Sequence, residues 1–167
     1  MDHLSEDFMS VMGNALRNLE TLNLSGNQLK TLPSSLTKLV QLRSLDLSEN
    51  HLHKVSSSIG KLTNLLHLEL AKNRLSHFPK VSKLPELTYL DVSGCPIMKI
   101  EATDLIIPKL RVLKMAKLSI TKIPEFDIPF LEELDLSRNK IKKIPGTLFT
   151  KIQNTIKVHH VLKIDLY

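Results

Sequence analysis

Residues 42–52 read LRSLDLSENHL, and the same arrangement returns five more times: LETLNLSGNQL from Leu19, LLHLELAKNRL from Leu65, LTYLDVSGCPI from Leu87, LRVLKMAKLSI from Leu110 and LEELDLSRNKI from Leu131. Successive copies start 23, 23, 22, 23 and 21 residues apart. Each fits Leu-x-x-Leu-x-Leu-x-x-Asn-x-Leu with aliphatic or small replacements. A further apolar residue follows three positions on, at Leu32, Val55, Phe78, Ile100, Ile123 and Ile144. A fixed period of this length marks a repeat architecture, in which each copy is one supersecondary unit.

Within each copy the last two leucines of Leu-x-x-Leu-x-Leu alternate with polar residues, the period of a strand with one buried face. One short strand in every 21 to 23 residues has no partner inside its own copy, so consecutive copies must stack in parallel through right-handed crossovers. The returns, such as PSSLTKLVQ and SSSIGKLTN, hold one or two apolar anchors (Leu36 and Leu39, Ile59 and Leu62) behind a proline or serine. They suit a 3₁₀ or short helical turn. The expected fold is an α/β solenoid with a curved parallel sheet inside and tight turns outside.

This pattern resembles the leucine-rich repeat family over roughly Leu19 to Ile152. The Pro-bearing copies of about 23 residues, such as LKTLPSSLTKLVQLRSLDLSEN, look like those of intracellular Ras-group proteins, Roco-type kinases and junctional scaffolds. The resemblance implies a protein-interaction module in cytoplasmic signalling, without catalysis of its own. The alternative it leaves open is a regulatory repeat region of a larger multidomain enzyme, a kinase, GTPase or phosphatase, whose catalysis lies outside this chain.

Three segments are expected: an N-terminal helical cap or partial repeat over 1–18, six repeats over 19–153, and a partial seventh over 154–167. Leu4, Phe8, Met12 and Leu16 recur at helical spacing behind Ser5. At the other end VLKIDLY carries Val161, Ile164 and Leu166 in the spacing of the repeat, and stops as a truncated copy would.

Composition agrees with a globular chain: 42% apolar and 24% charged residues in 167, with 32 leucines and no tryptophan. A single cysteine excludes an internal disulfide, and the opening MDHLSEDFMS lacks a signal peptide's basic and apolar regions, so a reducing, cytoplasmic setting is expected. No stretch approaches the ~18 apolar residues of a membrane span. The five glycines are scattered singly, without a phosphate-cradling loop. His51 and His53, and the pair His159 and His160, lack companions at a metal-site spacing, so no metal, cofactor or catalytic residue is expected.

Asn27, Asn50, Asn73 and Asn139 stand where the chain leaves the strand, with Cys95 and Leu118 in the same column. A buried amide there can bond backbone groups of its own turn and of a neighbour. Leucine makes no such bonds, so the turns around the fifth copy, beside the unusual returns EATDLIIPK and EFDIPF, are expected to be the least regular.

Binding is assigned to the outward positions of the strands. Between the inward leucines stand Asn23, Asp46, Glu69, Asp91, Lys114, Asp135 and Asp165, five of seven acidic. The flanking column holds Thr21, Ser44, His67, Tyr89, Val112, Glu133 and Lys163. Asp46, His67, Glu69, Tyr89, Asp91, Lys114, Glu133 and Asp135 are therefore the candidate residues of an acidic concave trough for a protein partner, such as a small GTPase or a basic peptide segment. Like charges on adjacent strands disfavour the fold by themselves.

The net charge of +6 is expected to be segregated. Lys30, Lys54, Lys99, Lys122, Lys142 and Lys143 fall in the loops leaving the strands, and Lys38, Lys61 and Lys83 on the outer turns. A solvated rim is the simplest reading of these lysines. Nucleic-acid binding is not favoured, since only 4% of residues are aromatic and bases would lack a stacking platform.

Overall fold

Strands of three or four residues and short 3₁₀ turns build the described part of the molecule. The computed structural model describes residues 15–126, 128–146 and 161–165. In these residues β1 (Thr21–Asn23), β2 (Ser44–Asp46), β3 (His67–Glu69), β4 (Tyr89–Asp91), β5 (Val112–Lys114), β6 (Glu133–Leu136) and β7 (Val161–Ile164) form one parallel sheet in chain order. Residues 1–14 of the cap or partial repeat expected over 1–18, and His159, His160, Leu166 and Tyr167, lie outside the described residues. Among those described, no helix is long and apolar enough to cross a membrane.

The register follows the repeat: Leu22, Leu45, Leu68, Leu90, Leu113 and Leu134 pair across successive strands. All six are buried, as are the second-row residues Leu47, Leu70, Val92, Met115 and Leu136. The outer wall of the core comes from the returns. Pro33, at φ −59°, and Ser56, whose Oγ accepts from Ser58 N at 3.3 Å, start the 3₁₀ turns η1 (Ser34–Lys38) and η2 (Ser57–Lys61). These turns sink Leu36 and Ile59 into the core.

The return EATDLIIPK departs from the expected irregularity. It forms η3 (Ala102–Leu105), closed by a reciprocal cap in which Asp104 Oδ2 accepts from Glu101 N at 3.0 Å. Lys80 Nζ, at 2.6 Å, balances the buried Asp104 carboxylate. A paired charge thus supplies what Pro33 or Ser56 supplies elsewhere.

The asparagine column stitches neighbouring repeats. Asn50 Nδ2 donates to Leu24 O (2.8 Å), Leu47 O (3.1 Å) and Ser48 O (3.1 Å), and its Oδ1 accepts from Leu29 N (3.0 Å). Asn73 repeats this with Leu47 O and Leu70 O and accepts from Leu52 N. Cys95 substitutes by donating from Sγ to Leu70 O at 3.4 Å. Burial pushes its thiol above the ordinary range, against the opposing pull of the Asn73 and Leu75 amides, so it remains a protonated donor. Asn139 Nδ2 bonds Met115 O and Leu136 O, but its buried Oδ1 has no partner among the described residues. That orphan faces the copy whose asparagine is replaced by Leu118. Asn27 corrects the expectation of a buried amide throughout the column: it is exposed and donates only to Leu24 O and Ser25 O of its own turn.

One column was invisible in the pattern. The residue before each column position, Gly26, Glu49, Lys72, Gly94, Lys117 or Arg138, has φ between 54° and 72°. The turn bends there so that the N–H reaches the next repeat, as from Gly26 to Ser48 O (3.0 Å) and from Lys117 to Ser137 O (2.9 Å). Only glycine adopts this conformation without a Cβ penalty.

The final strand corrects the expected alignment. Leu162 pairs with Leu134 and Ile164 with Leu136, so Lys163, not Asp165, stands beside Asp135. Positions 162, 164 and 166 share one parity, and a two-residue shift leaves the apolar face unchanged. Alternation alone therefore fitted both registers.

Two stability measurements follow. Asn50→Ala is expected to lower urea stability by about 1–3 kcal/mol, the cost of stranding buried partners, while the exposed Asn27→Ala stays within about 0.5 kcal/mol. Lys117→Gly is expected to raise stability by about 0.5–1 kcal/mol by removing a left-handed Cβ, less glycine's entropy cost. Equal effects at Asn27 and Asn50, or a destabilised Lys117→Gly, would count against these roles.

Candidate functional site

Parallel pairing in register sets the outward residues of neighbouring strands side by side. The row beside the inward leucines is Asn23, Asp46, Glu69, Asp91, Lys114, Asp135 and Lys163, so the acids number four of seven, not five. His67, Tyr89, Val112, Glu133 and Val161 flank it. All eight candidate residues, Asp46, His67, Glu69, Tyr89, Asp91, Lys114, Glu133 and Asp135, lie on this face, and all are half-buried.

The centre of the face is a connected strip. The His67 and Tyr89 rings stack with centroids 3.9 Å apart and planes at 11°. His67 Nε2 lies 2.8 Å from Glu69 Oε1. Lys114 Nζ sits 5.4 Å from the Tyr89 ring centroid, within cation–π range, and 3.9 Å from Glu133 Oε1. Burial, then the Asp91 and Glu69 charges, raises the Tyr89 hydroxyl above the usual phenol range, with Lys114 offsetting part of the rise. For Lys114, burial pulls downward, but Tyr89, Glu133 and Asp91 outweigh it and hold the ammonium above the usual lysine range.

The carboxylates have a second employment that the row arrangement concealed. Asp46 Oδ1 accepts from Ser48 N (2.9 Å) and Ser48 Oγ (2.7 Å), Asp91 Oδ1 from Ser93 N (2.7 Å), and Asp135 Oδ1 from Ser137 N (2.9 Å). Asn23 makes the same turn bond with a neutral amide, to Ser25 N at 2.8 Å. Where an Asx residue caps this turn, its oxygen suffices and no charge is required. This explains how like charges on adjacent strands are tolerated, and the negative charge is an addition to the structural job. Glu69, one methylene longer, bonds His67 instead. The Asp-x-Ser spacing in DLS and DVS was the signal for these caps.

Among the described residues no group of three or more His, Cys, Asp or Glu is placed to hold a metal ion. What the face offers is a broad surface of charge, one stacked ring pair and approachable backbone beside Ser48, Ala71, Ser93 and Ala116.

The chain belongs to the leucine-rich repeat family. The leucine rich repeat models match residues 8–52 and 44–97, together more than half of the chain, and 130–151. No curated protein matches it. Among solved structures it resembles a leucine-rich repeat protein of Leptospira interrogans (24% identity, TM-score 0.64), covering 96% of this chain and 45% of that one. It also resembles internalin C2 of Listeria monocytogenes (24%, TM-score 0.72), with 93% and 65% covered. The TLR13–ssRNA13 complex is similar as well (23%, TM-score 0.74), with 96% and 26% covered. The chain thus spans less than two thirds of each of these proteins, and the likeness is one of fold. Leucine-rich repeat domains generally mediate protein–protein interaction, and the fold is typically a non-catalytic scaffold.

The strip can be read by absorbance. In a Tyr167→Phe background, which leaves Tyr89 as the reporter, phenolate absorbance is expected to appear above the usual phenol range. Asp91→Asn should shift it down and Lys114→Gln up. Shifts of the opposite sign would contradict the electrostatic arrangement.

Proposed function

We propose that this chain is a non-catalytic interaction module of the intracellular Ras-group or Roco-like type, acting in cytoplasmic signalling or scaffolding. A protein partner with a basic or mixed face, such as a small GTPase or a basic peptide segment, docks on the acidic concave sheet. One observation carries the reading: Asp46, Asp91 and Asp135 hold charge that their turns do not require, since Asn23 performs the same bond without it, and Glu69 adds a carboxylate that caps no turn. The half-buried ring pair of His67 and Tyr89 supplies an anchor of the kind enriched at interface centres. Seven strands at ~4.8 Å span roughly 30 Å, enough for about 800 Å² per partner.

On this reading residues 19–153 form the working repeats, flanked by a cap or partial repeat over 1–18 and a partial seventh repeat over 154–167. The second reading, a regulatory repeat region of a larger kinase, GTPase or phosphatase, draws support from the chain spanning only 45% of its Leptospira neighbour.

The test uses the turn chemistry. Lysine at position 91 would remove the bond to Ser93 N and confuse binding with folding, whereas asparagine retains it. Asp46→Asn, Glu69→Gln, Asp91→Asn and Asp135→Asn together are expected to weaken binding of an arginine- and lysine-rich peptide by at least about tenfold, measured by calorimetry, with circular dichroism unchanged. Undiminished affinity in a folded variant would sink the proposal.

A further inference from the structure

We propose that the loop edge of the fifth and sixth repeats is a docking surface for an anionic lipid bilayer. The loop leaving β5 carries Lys117 and Lys122, and the loop leaving β6 carries Arg138, Lys140, Lys142 and Lys143; all six are exposed. Backbone bonds from Lys117 N to Ser137 O (2.9 Å), Lys140 N to Ile120 O (3.0 Å) and Lys142 N to Thr121 O (3.5 Å) hold the two loops side by side. Stacking of the repeats therefore gathers six cations into two adjacent turns.

Several cations elsewhere are answered by carboxylates. Arg43 pairs with Glu20, Lys72 with Glu49, Lys80 with Asp104, Lys99 with Glu101, Lys109 with Glu86 and Arg111 with Glu132. None of the six has a side-chain ion pair among the described residues. The carboxylate placed against them, Asp165, accepts from the Arg138 backbone N–H at 2.7 Å. The edge thus carries uncompensated positive charge of the size that attracts anionic leaflets, where clusters of about four to eight Lys or Arg suffice.

The chemistry favours a bilayer over other polyanions. Five of the six are lysines, hydrated point charges on flexible stems, without the rigid fork with which arginine recognises individual phosphates or carboxylates. Such charges suit a fluid array of headgroups that rearranges to meet them. The segments that carry the six cations, 117–122 and 138–143, contain no aromatic residue on which a base could stack. Next to them, in the loop leaving β4, Met98 is 72% exposed, and the bond from Ser119 N to Ile97 O (2.9 Å) keeps that loop alongside. Its apolar side chain is free to enter the interfacial layer.

Flotation with phosphatidylcholine vesicles, with and without a phosphatidylserine fraction, tests this. The chain is expected to bind only the phosphatidylserine vesicles and to be released by high salt. Lys122→Gln with Lys142→Gln should weaken partitioning about 25-fold, or about fivefold per charge. Lys38→Gln with Lys61→Gln, the same charge change on the outer turns, should alter it by less than about twofold. Met98→Ser should weaken it further, and circular dichroism should be unchanged throughout. Equal losses from both lysine pairs, equal binding to neutral vesicles, no binding at low salt, or preference for an oligonucleotide when both are offered would each overturn the proposal. The four trough substitutions should leave vesicle binding intact or strengthen it, which separates this surface from the concave one.

Discussion

A strand of three residues cannot meet its own backbone hydrogen bonds, and this constraint governs the whole chain. Each copy must lend its N–H and C=O groups to its neighbours, so the copies stack in parallel and in register. Leu45, Leu68 and Leu90 then fall into one buried row because their backbones pair. The turns are drawn into the same coupling: the left-handed residue before each asparagine passes its N–H to the next repeat, and Asn50 and Asn73 reach back to the preceding one. Stability is therefore shared between neighbours. Asn139 departs from this, because Asn50 and Asn73 accept a backbone N–H of the preceding turn whereas the Asn139 acceptor has no partner among the described residues.

Stacking also decides where chemistry can reside. Inward positions are committed to the core, while outward positions carry only what the turns demand. On the sheet the demand is an oxygen, and aspartate supplies it together with a charge. In the loops it is little more than a conformation, and Lys117 and Arg138 fill it despite the cost of a positive φ. The +6 of the chain thus divides between an acidic face and a basic edge that share one scaffold.

Much of this was legible in the residues. The spacing from Leu42 to Leu65 to Leu87 defines strand order and register, and the apolar anchors in PSSLTKLVQ and SSSIGKLTN locate the 3₁₀ turns. What escaped is what alternation does not encode. VLKIDLY fits two registers of equal parity, so Lys163 takes the place in the row expected for Asp165, and Val161 the flanking place expected for Lys163. Asn27 obeys the pattern yet remains exposed, because burial depends on neighbours and not on the letter. The irregular EATDLIIPK conceals a regular turn, capped by Asp104 and paired with Lys80 from the previous copy, a contact between residues 24 positions apart. The period sets the eight candidate residues side by side on one face, but the stacking of His67 on Tyr89 and the capping by the aspartates are side-chain geometries that a column of letters does not contain.

In the proposed function the concave sheet, and not the outer turns, meets a protein partner. Cys95 is buried, so a thiol-directed photo-crosslinker will report only on a newly introduced cysteine. Attached at Val112→Cys on the sheet and, separately, at Lys61→Cys on an outer turn, it would be activated in extract of the source cells. The account predicts a discrete adduct from position 112, absent from position 61 and lost when the four trough carboxylates are replaced by amides. Adducts of equal yield from both positions, or an adduct from position 61 alone, would contradict it.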